Sequence, residues 1–337
     1  MFEFPRAVVG DDEEMVLSDP ETLSENTLLL PYAGRLIRAD DRLSWTMILD
    51  ELRVLIQYSL PLIATFLLQM TYTITPTILL GRLGTAELAA VTLAGSFMML
   101  TGSSIQMGAA TALDTFCSQA FTGRKDRPYE VGVHLQRGLI FSAAVYIPVS
   151  VLWCNARHVL LWLHQTPEEA KMAQQVIYVA AFAAPGSIVF DYMKRYFQGQ
   201  GIMHASTYAL MLMAPIGVGL MFALINNTGR WGIGMYGAPV AQFIIYWCKV
   251  LFLVAYGRYV AGGECWGGWS WEAMYGWKKF FRLALPGIAV VCSSLWALEL
   301  LNLAAGSFGS QALSAQAIAL QCCFLGLVIH FGKCWMI

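Results

Sequence analysis

Residues 81–123, GRLGTAELAAVTLAGSFMMLTGSSIQMGAATALDTFCSQAFTG, decide how the rest of the chain is read. A Gly-Arg-Leu-Gly turn leads into a run with no charged residue between Glu87 and Asp114. Crossing a bilayer takes roughly 20 apolar residues, so this run is long enough to span one. It also holds Thr101, Ser103, Ser104 and Gln106, and it closes on the polar cluster Asp114, Thr115, Cys117, Ser118 and Gln119. Small residues let spanning helices approach closely, and Ser104-x-x-x-Gly108 has that spacing. The stretch reads as a tightly packed spanning helix with one face toward a polar cavity.

The composition around it agrees. The 337 residues are 57% hydrophobic and 13% charged, against the roughly 25% charge of soluble domains, and the mean hydropathy is +0.56. The expected class is an all-α polytopic membrane protein. Apolar stretches recur near 54–80, 87–112, 136–156, 173–193, 206–225, 233–257, 282–305 and 311–332, eight candidate spans by window length. Pro61, Pro76, Pro148, Pro185, Pro215, Pro239 and Pro286 fall inside them. Spanning helices tolerate proline because neighbours re-satisfy the freed carbonyl. Residues 1–36 form an acidic tail whose first part, from Glu3 to Glu25, opposes eight acids to Arg6; it is expected to be a solvated, disordered segment. Residues 37–52, with Trp45, Ile48 and Leu52 on one side, suit an amphipathic helix at the membrane surface.

Loop charges set the expected orientation. Of the 21 Lys and Arg residues, 16 fall on the side of the N-terminus, four on the other (Arg82, Arg157, Lys171, Arg230), and Lys249 lies within a span. By the positive-inside rule the N-terminus is cytoplasmic. Asn226-Asn227-Thr228 is then a glycosylation sequon at the outer membrane edge. No basic start precedes an apolar h-region, so no cleaved signal peptide is expected. The eight cysteines lack the spacing of a zinc site or disulfide framework. No phosphate loop, metal spacing or nucleophile triad appears, so the chain is not read as an enzyme, and no catalytic residue, metal or other cofactor is expected.

A repeat organises the spans. Leu60–Ala94 laid on Leu285–Ala319 puts Pro61 on Pro286, Gly81 on Gly306, Gly84 on Gly309, Leu88 on Leu313, Ala90 on Ala315 and Ala94 on Ala319, without a gap. Six spans separate the starts of the copies, so both run the same way, as in transporters assembled from parallel homologous halves. Two halves imply twelve spans, of which about eight are present.

At these residues the chain resembles the multidrug and toxic compound extrusion (MATE) family of cation-coupled antiporters, in its eukaryotic branch. Gly81–Ala90 is similar to the family's G-H-L-G-x-x-E-L-A-A, with Arg82 for His, and Gly108–Gly123 to G-x-x-x-A-L-D-T-L-C-S-Q-A-Y-G-A, with Phe116, Phe121, Thr122 and Gly123 departing. Arg195–Gly201 is similar to R-Y-L-Q-x-Q-G. The resemblance runs from about Glu51 to His330 and implies a MATE-like bundle: a complete six-helix N-lobe over 53–258, a cytoplasmic linker over 259–280, and a C-lobe of which 281–337 supplies about two helices, as if cut short. Gly81, Gly84, Asp114, Gln119, Asp191 and Arg195 occupy its structural or gating motif positions.

Acids inside a membrane are costly and mark functional candidates. Glu299 is the foremost. On a helix it shares its face with Cys292, Leu295, Trp296, Asn302 and Leu303. An acid beside an indole, with Asn302 as its one strong polar neighbour, suits a proton or an organic cation. The resemblance implies cation coupling for it; the plainer alternative is a structural glutamate bonded to Asn302. Trp296, Asn302 and Gln106 are the expected lining of a substrate cavity. Asp114 reads as fixing the loop near Arg124 and Arg127, Asp191 as pairing locally with Lys194 or Arg195, and Lys249 as snorkelling to the membrane surface.

The expected function is secondary antiport: export of organic cations, drugs or metabolites against protons, with Na+ the second choice of coupling ion. The partners are those small molecules and the lipid bilayer, without nucleic acid, and the full-length protein is expected to be monomeric in a plasma or vacuolar membrane. The alternative is a truncated membrane fragment or assembly partner that does not transport.

Overall fold

Apolar backbone in lipid has no hydrogen-bond partner but itself, which leaves helices as the natural solution for such runs. The computed structural model describes residues 67–71, 73–123, 127–226 and 232–334, with side chains to residue 323, and these residues are helical or in short connections. The acidic tail, the amphipathic segment, Pro61, Arg124, Asn227 and Thr228 lie outside the described residues.

The first described helix, α1, covers 67–71 and 73–83. Next come α2 (Thr85–Met98) and α3 (Ser104–Gly123), joined by a π-helical turn over Met99–Ser103. They are followed by α4 (Glu130–Cys154), the short α5 (Ala156–Trp162), α6 (Pro167–Gly199), α7 (His204–Ile225), α8 (Gly237–Tyr259), α9 (Trp277–Gly306) and α10 (Ser310–Cys334). Among the described residues six segments are long and apolar enough to cross a membrane, and they coincide with six of the eight expected spans. Of the other two, 311–332 is helical as α10, and 54–80 is described only from residue 67.

Local chemistry explains the helix limits. Thr166 caps α6 by accepting from the Glu169 amide, with Pro167 at the first helical position and Glu168 and Glu169 in the first turn. Pro148, Pro185, Pro215 and Pro286 sit inside their helices, as expected for a membrane bundle. Pro239 is in the first turn of α8, where its missing N–H costs nothing.

The repeat recurs in the backbone. Helix α2 begins at Thr85 and α10 at Ser310, 225 positions apart. At the first junction the Leu88 amide donates to the Gly84 carbonyl over 3.2 Å; at the second, Leu313 donates to Gly309 over the same 3.2 Å. Leu88 and Leu313 are both buried. The copies also touch, since Ser314 Oγ donates to the Thr85 carbonyl at 3.0 Å. Gly309 has φ +104°, where a side chain is strained; Gly84 has φ 168°, ordinary extended backbone.

A close helix crossing joins α3 to α9. A Cβ added to Gly108 would lie 3.0 Å from the Ile288 nitrogen and 3.1 Å from the Gly287 carbonyl oxygen, and closer still to the Ile288 Cα. The small-residue spacing of Ser104 and Gly108 therefore does bring a second backbone in. Further along, the segment between α8 and α9 is pinned to the bundle. Gln136 of α4 donates to the Gly268 carbonyl (2.6 Å) and accepts from the Ser270 amide (2.9 Å). Arg137 reaches the Ala273 and Glu272 carbonyls, and Tyr196 of α6 donates to Gly262.

Candidate functional site

The α3–α9 crossing places a polar seam within the apolar helices. Ser104, fully buried at the first turn of α3, accepts from Trp296 Nε1 at 3.0 Å and lies 3.5 Å from Cys292 Sγ. Two turns further along α9, Asn302 Nδ2 donates to Glu299 Oε2 at 3.0 Å and to Ser96 Oγ of α2 at 3.2 Å. Asn302 is 4% exposed, and its Oδ1 is buried with no hydrogen-bond partner among the described residues. Glu299 itself is half-buried and Trp296 is 41% exposed, so the seam opens on one side.

The arrangement follows from local structure. On α9, residues 292, 296, 299 and 302 recur at helical spacing and share a face. Opposite them, the π-helical turn over Met99–Ser103 lies between Ser96 and Ser104. Such bulges insert an extra residue into a helix and often sit at functional sites. Thr101 in the turn accepts from Trp153 Nε1 at 2.8 Å, and Gly102 lies against Val149 and Trp153, which hold the turn in place. What results is a carboxylate and a spare amide carbonyl within one turn of each other. A buried acceptor without a donor is costly, and the pair can receive a proton or the N–H of a cation.

The other expected residues lie elsewhere. Gln106 is two residues beyond Ser104 and faces the opposite side of α3, donating to the Ser142 carbonyl at 3.0 Å and contacting the Tyr192 hydroxyl at 3.4 Å. At 4% exposure it is packed among α3, α4 and α6 and is not brought to Glu299. Asp114 forms its ion pair with Arg195 of α6, 81 residues on, rather than with Arg127, which is exposed. Arg195 thus has a partner on another helix, because α3 and α6 bring their ends together, while Lys194 lies within electrostatic range of Asp191, in keeping with the local reading of that acid. Asp191 is half-buried and also within electrostatic range of Lys249. Gln119 is exposed, and Gly81 and Gly84 sit at the α1–α2 junction, where the Glu87 side chain folds over Gly84.

Lys249 does not snorkel. It is 3% exposed, its ammonium 5.0 Å from the Tyr246 ring centre and 5.3 Å from that of Phe190. Its face of α8 packs against α6, and cation–π contact with two rings and the nearby Asp191 make burial tolerable. Sequence reasoning also missed Ser96, whose role depends on a crossing 206 residues away. Ser104 carried a signal, its small-residue spacing, though not its pairing with Trp296.

Comparison with known proteins follows the same lines. The MatE family model matches residues 61–223. An uncharacterised transporter of Schizosaccharomyces pombe is 35% identical over 284 residues, covering 84% of this chain and 52% of that protein. Multidrug and toxin extrusion protein 2 of Mus musculus is 31% identical over 283 residues, covering 84% of this chain and 48% of that protein. The crystal structure of the eukaryotic MATE transporter AtDTX14 superposes with a TM-score of 0.69 at 27% identity, over 77% of this chain and 57% of that one. The chain spans about half the length of these curated relatives.

Proposed function

This chain belongs to the MATE family of transporters, and we propose that it serves secondary antiport of organic cations, drugs or metabolites against protons, with Glu299 as the coupling carboxylate. The supporting observation is the seam itself: Glu299 on a long apolar helix, held by an asparagine whose Oδ1 is buried without a hydrogen-bond partner among the described residues. An amide can serve both protonation states. Its Nδ2 donates to the carboxylate, and after rotation its oxygen can accept from the carboxylic acid. Ser96 can follow either state, because a hydroxyl both donates and accepts. Trp296, partly exposed beside the acid, can offer its ring to an organic cation while Ser104 fixes its indole N–H.

In this reading residues 53–258 are an N-lobe, α9 and α10 begin a second lobe, and alternating access moves one against the other. The same reading takes the N-terminus as cytoplasmic, supported by the basic loops, and the membrane as plasma or vacuolar. The gating-motif residues Asp114 and Arg195 brace the cytoplasmic ends of α3 and α6.

The test uses proteoliposomes containing the 337-residue chain, a fluorescent organic cation and an imposed pH gradient. PH-driven transport by the unsubstituted chain, lost in Glu299→Gln with membrane insertion intact, is the expected result. Transport that remains coupled to pH in Glu299→Gln would discard the assignment. No transport by the unsubstituted chain would favour the assembly-partner reading.

A further inference from the structure

Away from the Glu299 seam, a cavity of about 760 Å³ opens where α4, α6 and α8 end against the connecting segment. Its inner wall is apolar, built from Leu139, Met193, Leu253 and Val254. Trp266 and Trp269 stand over it, their rings 5.7 Å apart and at 85° to one another. Two opposite charges line the cavity, Arg258 and Glu264, both exposed, with no side-chain hydrogen bond or ion pair recorded among the described residues. The cavity is at the end of the bundle that also carries Lys194, Arg195, Lys278, Lys279 and Arg282.

Each feature answers to part of one molecule. An apolar trough opening at the end of membrane helices accepts an acyl chain. Indoles gather at headgroup level, where one side is apolar and the other wet. A guanidinium is suited to phosphate, through its planar set of donors. Glu264 then discriminates among headgroups: it repels a second negative charge, and it can accept hydrogen bonds from a primary ammonium but not from a quaternary one. We propose that this cavity binds one phospholipid with a primary-amine headgroup, the phosphate on Arg258, the ammonium between Glu264 and the indoles, and an acyl chain along α4, α6 and α8. Such a lipid would touch three helices and the connecting segment at once.

The experiment incubates the full chain, purified in mild detergent, separately with dioleoyl phosphatidylethanolamine, phosphatidylcholine and phosphatidylglycerol, and counts retained lipid by native mass spectrometry. Phosphatidylethanolamine is expected to be retained above the other two. Arg258→Ala should lower its retention about fivefold, the scale of one basic residue at a lipid surface. Glu264→Gln should abolish the preference for phosphatidylethanolamine, while Arg282→Ala leaves retention unchanged. Equal retention of all three lipids, unchanged retention in Arg258→Ala, or an equal loss in Arg282→Ala would overturn the proposal. Unfolding temperatures matching the unsubstituted chain confirm that the variants are folded.

Discussion

Replacing Gly108 by alanine tests the crossing on which the whole seam depends. The added Cβ would meet the Ile288 backbone, with the Ile288 nitrogen at 3.0 Å and the Gly287 carbonyl oxygen at 3.1 Å. Backbone atoms cannot rotate aside as a side chain can, so α9 must move off α3. Overpacking of this kind costs ~1–3 kcal/mol. Alanine also favours a helix interior over glycine by roughly 0.5–1 kcal/mol, which partly offsets the clash. Gly95 of α2 removes that ambiguity, because a Cβ there meets nothing within 4 Å and the propensity gain is the same. The difference between Gly108→Ala and Gly95→Ala therefore isolates the crossing. At about 2–4 °C per kcal/mol, Gly108→Ala should melt roughly 2–12 °C below Gly95→Ala in detergent, read by fluorescence-detected size exclusion after heating. Equal melting temperatures for the two variants would refute the close approach, and with it the placing of Trp296 on Ser104. Gly287→Ala should destabilise likewise and combine non-additively with Gly108→Ala, since each Cβ intrudes on the same contact.

Three further outcomes are expected. Gln136→Ala removes two hydrogen bonds to the connecting segment, so limited proteolysis should cut within 260–274 faster than in the unsubstituted chain. An unchanged cutting rate would mean that the segment is held by other contacts. For Asp114 and Arg195, a double-mutant cycle with Asp114→Asn and Arg195→Gln should give a coupling of about 1 kcal/mol in thermal stability, modest because Asp114 is 35% exposed. Additive effects would show the pair to be energetically idle. Lys249, 3% exposed, should resist amine-reactive labelling under conditions that modify the exposed Lys278 and Lys279, as read by peptide mass spectrometry. Comparable labelling would restore the snorkelling orientation.

Features that depend on one helix or one junction were open to reading from the chain. The spans follow from apolar length, because lipid imposes helices on any long uncharged run. The repeat is visible because Gly84 and Gly309 end one helix and permit the next at a matched distance, and both copies close with the same amide-to-carbonyl bond. Glu299 is conspicuous because carboxylates are rare where the neighbours are Trp296, Leu300 and Leu301. Its bond to Asn302, three residues on, is a property of helical pitch.

The tertiary structure decided everything that needed two helices to be rotated about their axes. Ser104 and Gln106 are both polar and nearly adjacent, yet one faces Trp296 and the other Ser142 and Tyr192. The Arg195–Asp114 pair joins residues 81 positions apart, and only the convergence of α3 and α6 makes it. Lys249 could rise to the surface or remain inside, and the packing of α8 on α6 buries it. The chain alone located the long apolar runs, but not the helix limits: α6 begins at Pro167, six residues before the expected span, and the short α5 had no apolar run to announce it. The crossings, which join residues from 36 to 206 positions apart, determined which of their polar groups meet.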